Sequence, residues 1–153
     1  MANRPLIHLR YAMYLRCSSD DQRHGDFTTI DAQKEINIRY IAEHGGTCVG
    51  VYSDEGRTGT NLKRPSWKRL LADAQAKLFD VVVVTYMSRL GRGKTFYIAE
   101  FLLQEAGVSV AMVKEQFTSD LAGYANQAVK IFLDGMFPAQ VAEWTISYLL
   151  VFV

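Results

Sequence analysis

The chain has 153 residues, of which 49% are hydrophobic and 22% are charged, and its formal net charge is +1. This length and composition predict a folded globular domain and exclude a disordered chain. The longest apolar runs, VVVV at 81–84 and YLLVFV at 148–153, are too short to cross a bilayer, and the first residues lack the apolar block of a signal peptide. The two cysteines, Cys17 and Cys48, have no metal-site spacing, so we expect reduced thiols in a cytoplasmic protein without metal or cofactor.

Strand and helix patterns alternate along the first 120 residues. The predicted strands cover 6–15, 47–54, 79–87 and 108–113, and the predicted helices between them cover 29–46, 64–78 and 94–107. The third strand is apolar on both faces, as a central parallel strand should be. The alternation predicts an α/β fold with a mostly parallel central sheet of four to five strands flanked by helices.

The pattern becomes helical again from residue 121 to 153, with a break expected at Pro138. Val141, Trp144 and Leu149 make this segment unusually apolar, which indicates either core or a surface for a second subunit. We therefore divide the chain into a domain over 1–120 and a C-terminal helical segment over 121–153.

Basic residues are concentrated in the middle of the chain. Residues 57–94 include nine basic and two acidic side chains, a formal charge of +7, which leaves −6 for the remainder. The near-neutral total argues against a nucleic-acid partner, but this polarity allows one side of the fold to face a polyanion. A solvated helix face is the alternative interpretation.

Arginine is frequent in the loops where such a fold binds ligands. These loops follow the carboxyl ends of the strands and cover 16–27, 53–65, 86–95 and 114–120. The first three hold the chemically notable residues, which are Arg16, Ser18, Asp54, Arg57, Arg64, Ser88, Arg89 and Arg92.

Two familiar phosphate motifs fit these loops poorly. Cys17 and Arg23 have the C-x5-R spacing of a cysteine phosphatase, but the intervening residues include Asp20 and Asp21 and no glycine. Two carboxylates there would repel a phosphate and raise the pKa of the thiol. SRLGRGKT at 88–95 resembles a P-loop, but Ser88 stands where that motif requires glycine.

A third interpretation, in which a serine attacks a phosphodiester, accounts for the notable residues of all these loops. Such a reaction needs positive donors around the phosphate, and the arginine fork matches two phosphate oxygens at once. Arg16 and Ser18 are two residues apart at a strand end, so both side chains can point the same way. Arg89 and Arg92 are three apart, which predicts that they share one face of a helical turn.

Four motifs in collinear order resemble the serine site-specific recombinases, the resolvase/invertase family. They are YLRCSSDDQ (14–22), DEGRTGT (54–60), RP (64–65) and SRLGR (88–92). The resemblance implies a resolvase-like catalytic domain in which Ser18 attacks a DNA phosphodiester, giving a 5′-phosphoserine linkage. It implies a reaction that needs no nucleotide or metal and a protein that does not bind a membrane. The implied partner is double-stranded DNA, bound by a homodimer or homotetramer that forms through the C-terminal helix.

The resemblance also implies roles for particular residues. The catalytic set is Ser18, Arg16, Asp54, Arg64, Arg89 and Arg92. Supporting or DNA-binding roles are expected for Tyr14, Gln22, Gln33, Arg57, Ser88 and Lys94. Ser88 stands where aspartate is common, which leaves the general acid unassigned.

The C-terminal segment departs from the family pattern, because Pro138 interrupts the long helix and no DNA-binding domain follows it. A truncated, non-catalytic remnant that only oligomerises is therefore the rival hypothesis.

Overall fold

The computed structural model describes residues 8–18, 29–56 and 59–133. In chain order the described elements are β1 (Arg10–Cys17), α1 (Ile30–Glu43), β2 (Thr47–Glu55), α2 (Pro65–Gln75), β3 (Val81–Val84), α3 (Met87–Leu90), α4 (Lys94–Glu105), β4 (Ser109–Met112), β5 (Phe117–Thr118) and α5 (Leu121–Leu133).

The five strands form one sheet in the order β2-β1-β3-β4-β5. β1 pairs in parallel with β2 and with β3, β3 pairs in parallel with β4, and only the short β5 is antiparallel to its neighbour. The predicted fold class, a mostly parallel sheet flanked by helices, is confirmed. α5 is described to Leu133, and the predicted continuation to 153 with its break at Pro138 lies outside the described residues.

Helices cover both faces of the sheet. Along β1, Ala12 and Tyr14 pack into the cluster formed with α2 and α4, whereas Met13 and Leu15 pack into the cluster formed with α1. This alternation follows from the two-residue period of a strand, and it explains why β1 is buried along nearly its whole length. Burial of apolar surface on two faces makes β1 and β3 the centre of the core.

The helices begin at residues suited to that position. The Thr29 side chain accepts a hydrogen bond from the Ala32 N–H, which caps α1, and Pro65 occupies the first turn of α2, where its missing N–H costs nothing. Within the described residues, no helix is both long and apolar enough to span a membrane.

The strand order determines where a ligand can bind. From β1 the chain turns outward to β2 and then crosses back to β3 on the other side of β1. The strand order therefore reverses between β1 and β3, and in open α/β sheets ligands bind at the carboxyl edge beside such a reversal. Ser18 follows β1 and α3 follows β3, so both lie at this point of the carboxyl edge.

Candidate active site

Arg16 and Ser18 form the floor of the site at the end of β1. The guanidinium Nη1 of Arg16 donates a hydrogen bond to Ser18 Oγ over 3.3 Å. Arg16 is fully buried, and Ser18 is 7% exposed. The hydroxyl is therefore held against a cation in a largely dry environment, where an electrostatic interaction is stronger than in water.

The backbone at Arg16 is fixed by side chains from two other elements. Gln33 of α1 accepts from the Arg16 N–H at 3.2 Å and donates to the Arg16 carbonyl at 2.9 Å. Arg89 of α3 donates to the same carbonyl at 2.9 Å. Because the nucleophile candidate is only two residues further on, these bonds limit where Ser18 can lie.

The carbonyl end of α3 accepts hydrogen bonds from two buried arginines. Arg16 donates to the carbonyls of Ser88 at 2.7 Å and Arg89 at 3.2 Å. Arg64 donates to the carbonyls of Arg89 at 3.3 Å and Leu90 at 2.6 Å. The last carbonyls of a helix have no partner inside it, so these guanidinium groups satisfy them.

Asp54 and Tyr14 connect this cluster to α2. The Asp54 carboxylate accepts from the N–H groups of Ser66 and Trp67, each at 3.0 Å, and so caps the start of α2. Tyr14 donates to Asp54 at 2.7 Å and accepts from Arg64 at 2.9 Å. In the described structure Asp54 therefore acts on the site through Tyr14 and Arg64.

The hydroxyl of Tyr14 stays protonated in this environment. Burial raises the pKa of Tyr14 well above its usual value of 10.0, the nearby Arg64 charge opposes that rise, and the hydrogen bond to Asp54 adds to it. A neutral phenol can donate one hydrogen bond and accept another at the same time, as Tyr14 does with Asp54 and Arg64.

Arg92 lies in the loop after β3 and is bonded to the loop after β2. Its backbone N–H donates to the Gly59 carbonyl at 2.9 Å. A Cβ at Gly59 would lie 2.7 Å from Arg16 Nη2 and 3.0 Å from Arg92 Cγ, so the two arginines flank this glycine and a side chain there would displace Arg16. The predicted shared helical face of Arg89 and Arg92 is wrong, because α3 ends at Leu90 and Gly91 is extended.

The remaining predicted residues take several positions. Ser88 Oγ accepts from Arg89 at 3.3 Å. Lys94 is exposed at the start of α4, and its side chain makes no hydrogen bond or ion pair within the described residues. Gln22 and Arg57 lie outside the described residues, as does Arg23, on which the phosphatase alternative depends.

Positive charge dominates the described part of the site. It contains three fully buried guanidinium groups, those of Arg16, Arg64 and Arg89, and one buried carboxylate, that of Asp54. Such an arrangement favours an anionic ligand in which two oxygens can accept hydrogen bonds from one guanidinium group. Among the described residues, no group of three or more His, Cys, Asp or Glu side chains could hold a metal ion.

Several groups that contribute to the candidate site could not be recognised from the sequence. Main-chain carbonyls of α3 serve as acceptors, and any residue type can supply these. Beneath Arg16, Thr85 donates to Asn37 Oδ1 at 3.0 Å, in a buried polar layer that also includes Gln33. Asn37 could have been noticed as a polar residue on the apolar face of α1.

The structure thus places a serine hydrogen-bonded to a buried arginine at the carboxyl edge of a mostly parallel sheet. Residues 11–137 match the family model described as "Resolvase, N terminal domain". The chain belongs to the resolvase family. No curated protein sequence is significantly similar to it.

Solved structures of recombinases share the fold. The crystal structure of the N-terminal catalytic domain of TP901-1 integrase is 25% identical with a TM-score of 0.65, covering 84% of this chain and 99% of that one. A resolvase family site-specific recombinase from Streptococcus pneumoniae is 23% identical with a TM-score of 0.61, covering 92% and 97%. The C-terminal catalytic domain of ISC1926 TnpA, an IS607-like serine recombinase, is 24% identical with a TM-score of 0.58, covering 94% and 99%. At these lower identities the last two support the fold alone.

Proposed function

We propose that this domain cleaves and rejoins double-stranded DNA in site-specific recombination, with the Ser18 hydroxyl as the nucleophile. The observation that carries the proposal is the hydrogen bond from Arg16 to Ser18 Oγ within a cluster of buried arginines. A phosphodiester gains negative charge in the transition state, and guanidinium donors fixed in advance stabilise that charge.

The proposed reaction keeps the number of phosphoester bonds constant. Ser18 Oγ bonds to phosphorus and loses its proton, the bond from phosphorus to the DNA 3′ oxygen breaks, and that oxygen leaves as a 3′ hydroxyl. The product is a 5′-phosphoserine linkage. Attack by another 3′ hydroxyl reverses the step, so rejoining needs no external energy source. Ser88, whose hydroxyl oxygen accepts from Arg89 at 3.3 Å beside the cluster, is one candidate for the proton transfers.

Binding of the substrate would require an exchange of hydrogen-bond acceptors. Arg16 now donates to the carbonyls of Ser88 and Arg89 and is fully buried. We propose that phosphate oxygens take the place of these carbonyls, because a charged acceptor makes a stronger bond than a neutral one. Arg89 and Arg92, which arrive from the loop after β3, would complete the phosphate site.

We further propose that a second copy of this chain packs against the exposed apolar face of α4 as part of a dimer or tetramer built on the C-terminal helix. Tyr97, Ile98 and Phe101 lie on one face of α4 and are 64%, 49% and 59% exposed, and Leu121 of α5 is 63% exposed. Aromatic and branched side chains grouped on a helix indicate a protein interface.

Sedimentation analysis of the protein tests this interface. Phe101→Asp should weaken self-association at least about tenfold, because it places a charge in an apolar contact. Gln75→Asp, at an exposed polar position of α2, should leave the association constant unchanged. Equal association of Phe101→Asp and wild type would exclude this face.

Covalent trapping on DNA tests the chemistry. The protein is incubated with a fluorescent pool of random-sequence duplexes, and denaturing electrophoresis with mass spectrometry locates any protein–DNA adduct. We expect an adduct at Ser18 that is lost in Ser18→Ala and kept in Cys17→Ser. Binding of the duplex without any adduct would support the non-catalytic remnant, and hydrolysis of an aryl phosphate that needs Cys17 would support the phosphatase.

A further inference from the structure

The helix that carries Arg89 has no capping side chain of its own. α3 is only four residues long, and Tyr86 at its N-cap position makes no side-chain hydrogen bond to it. Instead, a carboxylate oxygen of Glu115 accepts a hydrogen bond from the Met87 N–H at 3.0 Å. Glu115 is 28 residues further along the chain, in the turn that follows β4. The cap of α3 therefore comes from another part of the fold.

We propose that Glu115 is a positioning residue for the nucleophile site, acting through α3 on Arg89. The role rests on the proposed function, because it matters for chemistry only if Arg89 and Ser18 act on DNA. None of the four sequence motifs described above includes Glu115.

The turn that carries Glu115 is fastened to the chain just before α3. The N–H groups of Val113 and Lys114 donate to the carbonyls of Val84 and Thr85 at 3.0 Å and 2.9 Å. Gln116 then adopts a φ of 54°, a left-handed conformation that is uncommon outside glycine. The turn thus continues the pairing of β3 with β4 and places Glu115 beside Met87.

Because of this cap, α3 is held at both ends by side chains from elsewhere. Glu115 holds its amino end, while Arg16 and Arg64 hold its carbonyl end. A four-residue helix has almost no stability of its own, so its position is set by these hydrogen bonds together with the burial of Leu90 in the core. Between them, the buried Arg89 side chain reaches the Arg16 carbonyl at 2.9 Å. A shift of α3 would therefore move Arg89 relative to the backbone that carries Ser18.

Glu115 is exposed, so its loss should affect this local contact more than the core. Removal of the acceptor leaves the Met87 N–H to water and frees the first residues of α3. Small displacements of groups that orient a reaction lower its rate strongly. We expect Glu115→Ala to reduce the rate of adduct formation about tenfold without weakening DNA binding.

Amide hydrogen exchange of the free protein tests the cap without any DNA. In Glu115→Ala the amides of Met87, Arg89 and Gly91 should exchange about fivefold faster or more, as expected for a lost helix cap. Glu115→Gln keeps an acceptor oxygen and should exchange like wild type. Glu105→Ala removes an exposed carboxylate with no hydrogen bond among the described residues, and it should also match wild type. Unchanged exchange in Glu115→Ala, or equal loss of protection in Glu115→Gln, would overturn the proposal.

The adduct assay on the same random-sequence duplexes then tests the link to chemistry. The positioning role predicts a slower adduct rate in Glu115→Ala, recovery in Glu115→Gln, and the same duplex affinity in both. A wild-type rate in Glu115→Ala despite faster exchange would overturn it. If wild type forms no adduct, the proposed function fails by itself, and the exchange experiment still decides whether Glu115 holds α3.

Discussion

Replacement of Arg64 gives the sharpest test of how the site is held together. Arg64 is fully buried and donates hydrogen bonds to four acceptors: Tyr14 Oη and the carbonyls of Asn61, Arg89 and Leu90. Its guanidinium carbon also lies 5.4 Å from the centroid of the Tyr14 ring. Few side chains in the described structure connect so many elements.

The magnitude follows from the acceptors that Arg64→Ala would leave behind. A buried polar group without a partner costs about 1–3 kcal/mol, and water entering the space left by Arg64 would offset part of that cost. We therefore expect a loss of about 3 kcal/mol in the free energy of unfolding. For a domain of this size that corresponds to a fall of about 6–12 °C in Tm. Arg64→Lys should lose more than half as much, because an ammonium group cannot reproduce the planar fork.

Thermal and urea unfolding followed by circular dichroism measure this loss. Arg69→Ala is the matched control, since Arg69 is exposed on the same helix and its guanidinium carbon lies over the ring of Tyr52, 5.1 Å from the centroid. Its cost should stay below about 1 kcal/mol. If Arg64→Ala unfolds within the error of Arg69→Ala, the hydrogen bonds to α3 do not stabilise the protein and our account of the site is wrong.

Three further predictions concern capping and pH. Asp54→Ala should lower the free energy of unfolding by about 1–2 kcal/mol in urea titrations, because the start of α2 loses its cap; a change below the error of measurement would contradict that role. Burial and the hydrogen bond to Asp73 raise the pKa of Tyr52 to about 12, so the stabilisation linked to its neutral form should be complete below pH 10 and lost towards pH 12. Absorbance at about 295 nm should show this late ionisation, and Tyr52→Phe should reduce its amplitude by one tyrosine while that of Tyr14 remains. The hydrogen bond from Arg10 lowers the pKa of Asp80 below its ordinary value of 3.8, so its contribution should be present above about pH 4 and fade as the pH falls further. Asp80→Asn should flatten this acid dependence of the urea midpoint.

The regular elements could be predicted because their residues repeat with the period of a helix or strand. The four main strands and the helices between them are confirmed, with ends displaced by a few residues. β5 has two residues and α3 has four, which is too short for any period to show. The same limit explains the wrong prediction for Arg89 and Arg92, since three residues of spacing imply a shared face only if one helix contains both.

The composition of the candidate site was predictable, but its connections were not. Loops at the carboxyl edge of a parallel sheet converge by topology, so Arg16, Ser18 and Arg89 could be placed together from the order of the strands. The acceptors of the arginines are main-chain carbonyls, whose positions depend on backbone direction and leave no trace in residue type. Glu115 was missed for a related reason, because its partner is the backbone N–H of a distant residue.

The loops that follow β2 and β3 are bonded to each other in their described parts. Arg16, at the end of β1, donates to the Ser88 carbonyl, the Gly59 carbonyl accepts from the Arg92 N–H, and Thr95 donates to the Thr60 carbonyl at 2.9 Å. The segment around Gly59 and Thr60 therefore cannot move away from residues 88–95 without breaking these hydrogen bonds. We expect the two segments to open in one cooperative event that leaves the sheet beneath them intact, so that their amides share one rate of hydrogen exchange.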